Sequence, residues 1–158
     1  MTDNLHTVVI IGWDKKYSND FVRLNREWIE KYFSLEASDL KILGNPEEEI
    51  IRKGGEVFFA LQDGEVVGCC ALVYHAGTRR YELAKMAVSP KAQGRGIAFS
   101  LGTALLAYAR RMGVTRIFLE ANTKLEASVR LYHKLGFKAV EADNPAYSRC
   151  NLYMEKML

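Results

Sequence analysis

A chain of 158 residues suits one folded domain, residues 1–158, with a real hydrophobic core and no room for a second domain of ordinary size. Apolar residues at 49% and charged residues at 26% are ordinary for a globular protein. The formal charge of +3 comes without any run of Lys and Arg interleaved with aromatics, which argues against a nucleic-acid partner. Nowhere do about 18 apolar residues run together, and Met1 to Thr7 lacks the charged start and apolar block of a leader, so the expectation is a soluble, cytoplasmic protein with no membrane partner. Cys69, Cys70 and Cys150 have no metal-ligand spacing, and neighbours on a strand point to opposite faces, so reduced thiols and no metal are expected.

In chain order, His6 to Ile11 reads as a first strand closed by Gly12. Ser18 or Asn19 is placed to cap a helix through about Phe33 that carries Phe21, Leu24, Trp28 and Tyr32 on one stripe. That stripe reads first as core, although a helix ahead of a sheet also makes the wall of a cleft. A second helical pair spans Glu36 to Arg52, broken at Gly44-Asn45-Pro46, with Asn45 as cap, Pro46 at the first helical position and Glu48 reaching back. Glu56 to Gln62 and Glu65 to Tyr74 form a hairpin across Asp63-Gly64. A third strand, Tyr81 to Val88, is stopped by Pro90, and alternation places Glu82, Ala84, Met86 and Val88 on one face.

The stretch Gln93-Gly94-Arg95-Gly96-Ile97-Ala98 joins that strand to an amphipathic helix carrying Ile97, Leu101, Ala104, Leu105, Tyr108 and Met112. A helix start leaves about four N–H groups without intrahelical partners and carries roughly half a positive charge, so it suits an anion. Gly94 and Gly96 remove side chains that would hold a phosphate away, Gln93 offers an amide donor, and Arg95 and Lys91 add positive charge. The plainer reading is an ordinary strand-to-helix turn. Beyond it, Thr115 to Glu120 is a strand, Thr123 to Glu126 a capping box for a helix ending at Gly136, and Phe137 to Val140 and Asn151 to Met157 supply two closing strands.

Three pieces in order resemble the GNAT superfamily of N-acetyltransferases: Glu82 to Pro90, then Gln93 to Ala98, then Leu131-Tyr132-His133-Lys134-Leu135-Gly136-Phe137. The second fits the family's Gln/Arg-x-x-Gly-x-Gly/Ala signature and the third its Leu-Tyr-x-Lys-x-Gly-Phe ending. The resemblance implies an α/β (α+β) fold, a mixed and mostly antiparallel sheet of about six or seven strands flanked by about four helices and splayed where acetyl-CoA enters. It implies that the backbone of Met86, Ala87 and Val88 bonds the pantetheine arm and that Gln93, Gly94, Arg95, Gly96, Ile97 and Ala98 cradle the pyrophosphate, with Lys134 and Asn122 also at the cofactor. The family's asparagine, seven residues ahead of the tyrosine, is Leu125 here, so Asn122 either takes its role or caps the helix.

Acetyl transfer to an amine needs a base, because an alkyl ammonium is protonated at neutral pH, a donor for the developing oxyanion, and a proton for the departing thiolate. Glu82, 11 positions before Gln93, occupies a place similar to the base of several family members; its plainer reading is a salt-bridged strand carboxylate. A backbone N–H near Met86 or Ala87 is the expected oxyanion donor. Tyr132 either donates the proton to sulfur or only hydrogen-bonds it. His133 points elsewhere on the helix, and a nucleophilic cysteine has no electropositive neighbour to support it.

The expected activity is acetyl-CoA-dependent acetylation of a primary amine on a small metabolite or amino acid by direct attack. The alternatives are acetylation of a protein lysine or N-terminus, and a CoA-binding sensor without turnover. The acceptor-selecting residues are expected between Asn19 and Gly55 and in the loop from Asp143 to Arg149, where Tyr147 and Arg149 either contact an acceptor carboxylate or simply finish the strand. The resemblance also makes pairing of final strands between subunits the route to a homodimer.

Overall fold

The computed structural model describes residues 7–141 and 145–158; His6, where the first strand was expected to begin, and Asp143 lie outside the described residues. Seven strands form one sheet in the order β1-β2-β3-β4-β5-β7-β6: β1 (Val8–Ile11), β2 (Glu56–Gln62), β3 (Glu65–His75), β4 (Arg80–Val88), β5 (Arg116–Ala121), β6 (Lys138–Val140) and β7 (Leu152–Met157). Every neighbouring pair is antiparallel except β4 and β5. The β2–β3 turn places both Asp63 (φ 52°) and Gly64 (φ 77°) in the left-handed region, the conformation a two-residue hairpin with right-handed strand twist requires.

Helices α1 (Ser18–Tyr32) and α2 (Ala37–Gly44) cover one face, and α3 (Ile97–Arg111) and α4 (Glu126–Lys134) the other. The sheet therefore separates two cores. Phe21, Leu24, Val57, Phe59, Cys69 and Ala71 pack on the α1 side, while Leu72, Leu83, Leu101, Leu105, Ile117 and Phe137 pack on the α3 side. Cys69 and Cys70 fall in different cores, as strand alternation requires, and all three cysteines are free.

Several local expectations are corrected. Helix α1 begins at Ser18 rather than being capped by Ser18 or Asn19, because a tight turn at Lys15–Tyr17 precedes it and Asp14 caps that turn through Lys16 N. Asn45 does cap the wide turn Glu47–Ile51, accepting from Glu48 N at 3.2 Å, whereas the Glu48 carboxylate pairs with Arg52 instead of reaching back. No capping box starts α4: Thr123 Oγ1 accepts from Asn151, Asn122 Oδ1 accepts from Lys124 N, and the helix begins one turn later behind Leu125. Met112 lies past the end of α3 and is exposed; Ala109 closes the buried stripe.

The correction that shapes the site lies on β4. The register runs Ala71 opposite Ala84 and Cys69 opposite Ala87, so Lys85 and Met86 together face Cys70. This bulge puts Lys85 at φ 56° and flips the alternation after it. Glu82 shares its face with Ala84 and Ala87, toward α1, while Met86 and Val88 join Leu83 toward α3, so the alternation expected from Glu82 to Val88 breaks at the bulge.

Candidate active site

Strands β4 and β5 run parallel but pair only at Tyr81–Ile117 and Glu82–Phe118. Beyond Glu82 they part, and a cleft of about 790 Å³ opens through the sheet. The size suits a ligand of drug or cofactor dimensions. Of the residues singled out in the sequence, Glu82, Met86, Ala87, Val88, Gln93, Gly94, Gly96, Ile97, Ala98, Asn122, Tyr132 and Lys134 all line it. Arg95 and Lys91 do not: the Arg95 guanidinium donates to Gln62 at 3.4 Å and the Lys91 ammonium pairs with Glu65 at 2.7 Å. Besides Lys134, the cationic side chains at the cleft are Lys85, Lys124, Arg130 and Arg149; Arg130 stands with Lys134 on α4, while the Lys124 ammonium donates to the Tyr32 carbonyl at 3.2 Å.

The cradle is built by backbone conformation. Gly94 (φ 79°) and Gly96 (φ 77°) are left-handed, a region that costs an L-residue roughly 1–2 kcal/mol. A Cβ at either would meet nothing within 4 Å, so the space beside them is open. Gly96 caps α3 without any side-chain bond to the first-turn N–H groups, and Gln93 Nε2 holds the Val88 carbonyl at 3.1 Å, fixing the strand-to-helix corner. An uncapped helix start, an adjoining strand edge without a β-partner past Glu82, and cations on α4 together fit a ligand with a phosphorylated end and an extended arm.

The opposite half of the cleft carries different chemistry. Glu82 is 4% exposed, and its Oε1 lies 2.8 Å from His75 Nε2. Glu120, on β5 and on the same face, accepts from Ala146 N at 3.1 Å and Tyr147 N at 3.2 Å; burial, with the nearby Glu82 charge adding to it, raises its pKa against those bonds. Trp28 and Tyr32, the C-terminal end of the α1 stripe, line the wall, while Phe21 and Leu24 are core, so the stripe serves both purposes expected of it.

Next to the bulge sits a buried ionic cluster that local sequence patterns did not signal. Lys85 Nζ meets Asp39 Oδ1 at 2.6 Å and Tyr147 OH at 3.0 Å, and Arg149 grips both Asp39 oxygens at 2.7 Å. Burial opposes ionisation of Asp39, but hydrogen bonds from Arg149, Lys85 and the Glu36 N–H overcome it and hold the carboxyl at about 2. Burial lowers the Lys85 pKa, offset in part by Asp39. Asn122 anchors the same loop, its Nδ2 donating to the Arg149 carbonyl at 2.7 Å. Its side chain is thus engaged on both atoms. Tyr132, on the α3 side, is buried edge-on to Phe137, and burial pushes its phenol well above the ordinary range. Burial likewise pushes the Cys69 thiol up to about 12 and raises Cys70 and Cys150, which leaves no thiolate nucleophile among them.

The family model for the acetyltransferase (GNAT) family matches residues 20–137. The chain belongs to the GNAT family. Among curated relatives, the uncharacterized N-acetyltransferase YjgM of Escherichia coli (strain K12) is 30% identical over 96 residues, a match covering 59% of this chain and 58% of that protein. The chain therefore spans less than two thirds of that relative. Among solved structures, a GNAT-family acetyltransferase from Staphylococcus aureus Mu50 superposes with a TM-score of 0.85 at 17% identity, covering 96% of this chain and 99% of that one. The phosphinothricin acetyltransferase of Sinorhizobium meliloti, solved in complex with acetyl-CoA, gives 0.78 at 18% identity over 96% and 89%. At such identities the likeness is one of fold: the mostly antiparallel seven-stranded sheet with four helices expected of this family is the fold observed. Among the described residues no helix is long and apolar enough to cross a membrane, and no group of three His, Cys, Asp or Glu could hold a metal.

Proposed function

We propose that residues 1–158 act as one acetyl-CoA-dependent N-acetyltransferase domain whose acceptor is the primary amine of a small molecule. The observation that carries this reading is one cleft with two unlike halves meeting at the β4 bulge. The half beside α3 and α4 has an uncapped helix start and the cations Arg130 and Lys134, suited to a phosphorylated ligand; the half beside α1 and α2 has the buried carboxylate of Glu82 and the half-buried one of Glu120 facing aromatic walls, suited to an amine. The Sinorhizobium relative's bound acetyl-CoA supports the same choice for the first half.

Acetyl-CoA supplies an acyl group already activated as a thioester. On this chain, the amides of Gly94 to Ala98 receive its diphosphate, aided by Lys134 and Arg130, and the free edge of Met86 to Val88 holds its arm; Arg95 contributes backbone, since its side chain turns to Gln62. A backbone N–H near Met86 or Ala87, at the bulge, donates to the thioester oxygen. Glu82 removes one proton from the acceptor ammonium, and the freed nitrogen pair bonds the acyl carbon as sulfur leaves with the C–S pair. The nitrogen's second proton is lost as the thiolate is protonated, so products are amide and free thiol.

Burial raises the Tyr132 pKa, which favours a phenol that keeps its proton over one that hands it to the departing thiolate. Its role is a hydrogen bond to the sulfur. The Asp39 cluster keeps Lys85 and Arg149 paired, so the acceptor half presents excess negative charge; this favours a cationic amine over an acceptor held by its own carboxylate. An assay of free-thiol release from acetyl-CoA across a panel of amines tests the reading. Acceptor-dependent release supports it; binding of coenzyme A with no release to any small amine, protein lysine or N-terminal peptide leaves a sensor instead.

A further inference from the structure

We propose that His75 is a positioning residue for this transfer, holding one oxygen of Glu82 so that the other alone is presented to the acceptor amine; the proposal rests on the function read above. Glu82 is the deepest carboxylate of the cleft, its side chain 5% exposed, and its Oε1 lies 2.8 Å from His75 Nε2. An ionised carboxylate only accepts, so at this distance Nε2 carries the hydrogen and donates it. Oε1 is thereby committed. Oε2 is left as the oxygen that takes a proton from the ammonium, while the Nε2–H···Oε1 bond persists unchanged and the His75 proton is not spent.

The ring itself is held. His75 ends β3 directly across from Arg80, two register steps from the Val73–Glu82 pair and so on the same face as Glu82, where the two side chains meet diagonally from adjacent strands. Its ring packs tilted on Phe118 at 5.6 Å, and Phe118 is stacked on Tyr153 at 5.2 Å with the Arg80 guanidinium 4.2 Å over its face. Arg80 is in turn bound by Glu155 at 3.0 Å. The charged and titratable groups around the imidazole are Glu82 on β4, Arg80 at the start of β4, and Tyr153 and Glu155 on β7, and those facing the Glu82 carboxylate besides His75 are Glu120 on β5, Lys85 on β4 and Tyr147 of the closing loop. His75 is 38% exposed on its side chain and reaches solvent, so it is not part of either core. A histidine used only for packing has no need of the cleft carboxylate, and a carboxylate used only for an ion pair has no need to be buried at the point where the sheet splits.

The experiment compares native protein, His75→Leu, His75→Gln and Glu82→Gln for calorimetric affinity toward acetyl-CoA and for the pH profile of amine-dependent thiol release. Loss of a donor to a charged group is expected to cost His75→Leu about tenfold or more in kcat. The KM for acetyl-CoA stays unchanged and the acid limb moves to higher pH, because an unsupported carboxylate is protonated more readily. His75→Gln, whose amide can donate, recovers most of the rate and returns the limb. His75→Leu matching the native rate and limb while Glu82→Gln is inactive overturns the role of His75 and leaves the enzyme intact. Equal losses in both His75 variants with an unmoved limb also overturn it, since packing alone then explains them. Native protein that binds acetyl-CoA and acetylates no amine overturns the underlying function, and this role with it.

Discussion

The two halves of the cleft are made in opposite ways. On the cofactor side, neighbours in the chain do the work: Gln93 braces Val88 five residues back, and Gly94, Gly96 and Ile97 set the corner and the helix start within a few positions. On the acceptor side, contacts leap along the chain: Asp39 to Arg149 across 110 residues, Glu36 to Ser148 across 112, Lys85 to Asp39 across 46. A phosphate site depends on backbone N–H groups, which a short motif can place. An acceptor site must be assembled from side chains brought together by the whole fold.

The largest effect that would break this contrast is at Glu82. Glu82→Gln is expected to slow amine-dependent thiol release by about 10²–10⁴-fold, as for loss of a general base, with acetyl-CoA affinity unchanged in calorimetry. Next is Asp39→Ala, which leaves Lys85 buried at 2% side-chain exposure without its counter-charge. Losing one member of a buried pair costs roughly 3–5 kcal/mol, so urea midpoints should fall by a correspondingly large amount. The same carboxylate predicts an acid response. Its folded pKa, about 2, lies below its ordinary value of 3.8, so the unfolded state binds more protons between them. Stability on the order of 2 kcal/mol is present above about pH 4 and is lost as the pH falls toward 2, which acid titration of unfolding in native and Asp39→Asn protein would show.

Smaller again is Gly96→Ala, where backbone strain of roughly 1–2 kcal/mol should appear in thermal unfolding. The larger consequence there is for ligand: the new methyl enters the open space beside the cradle, so acetyl-CoA affinity falls by about tenfold or more while the buried ionic cluster is untouched. Lys134→Ala, removing one exposed cation that rests on Phe99 at 4.5 Å, should weaken acetyl-CoA binding only by about two- to fivefold, and less at high salt.

How far the sequence foretold the molecule follows the same division. Element order, the Asp63-Gly64 hairpin and the cradle were legible because each rests on spacing within about ten residues, whereas Glu82 and Tyr132, which both line the cleft, were singled out only through the family resemblance. The flipped face after Lys85 was not, since one residue inserted into a ladder leaves no mark in hydrophobic alternation when the strand is apolar on both sides. Thr123 looked like a cap because its spacing to Glu126 is right, yet the fold uses it to hold Asn151. Asp39 carried no signal of its own in the sequence; in the fold it accepts from Glu36 N at 2.9 Å at the start of α2, and only the assembled sheet and loop bring Lys85 and Arg149 to it. His75 likewise had no motif to mark it, and only strand register brings it to Glu82.

The most direct test is a crystal structure of the protein with coenzyme A. The account predicts diphosphate oxygens within hydrogen-bonding distance of the amides between Gly94 and Ala98, the arm along Met86 to Val88, and the sulfur between Tyr132 and the face that carries Glu82. A bound coenzyme A with its diphosphate away from that helix start, or its sulfur outside the split between β4 and β5, would contradict it.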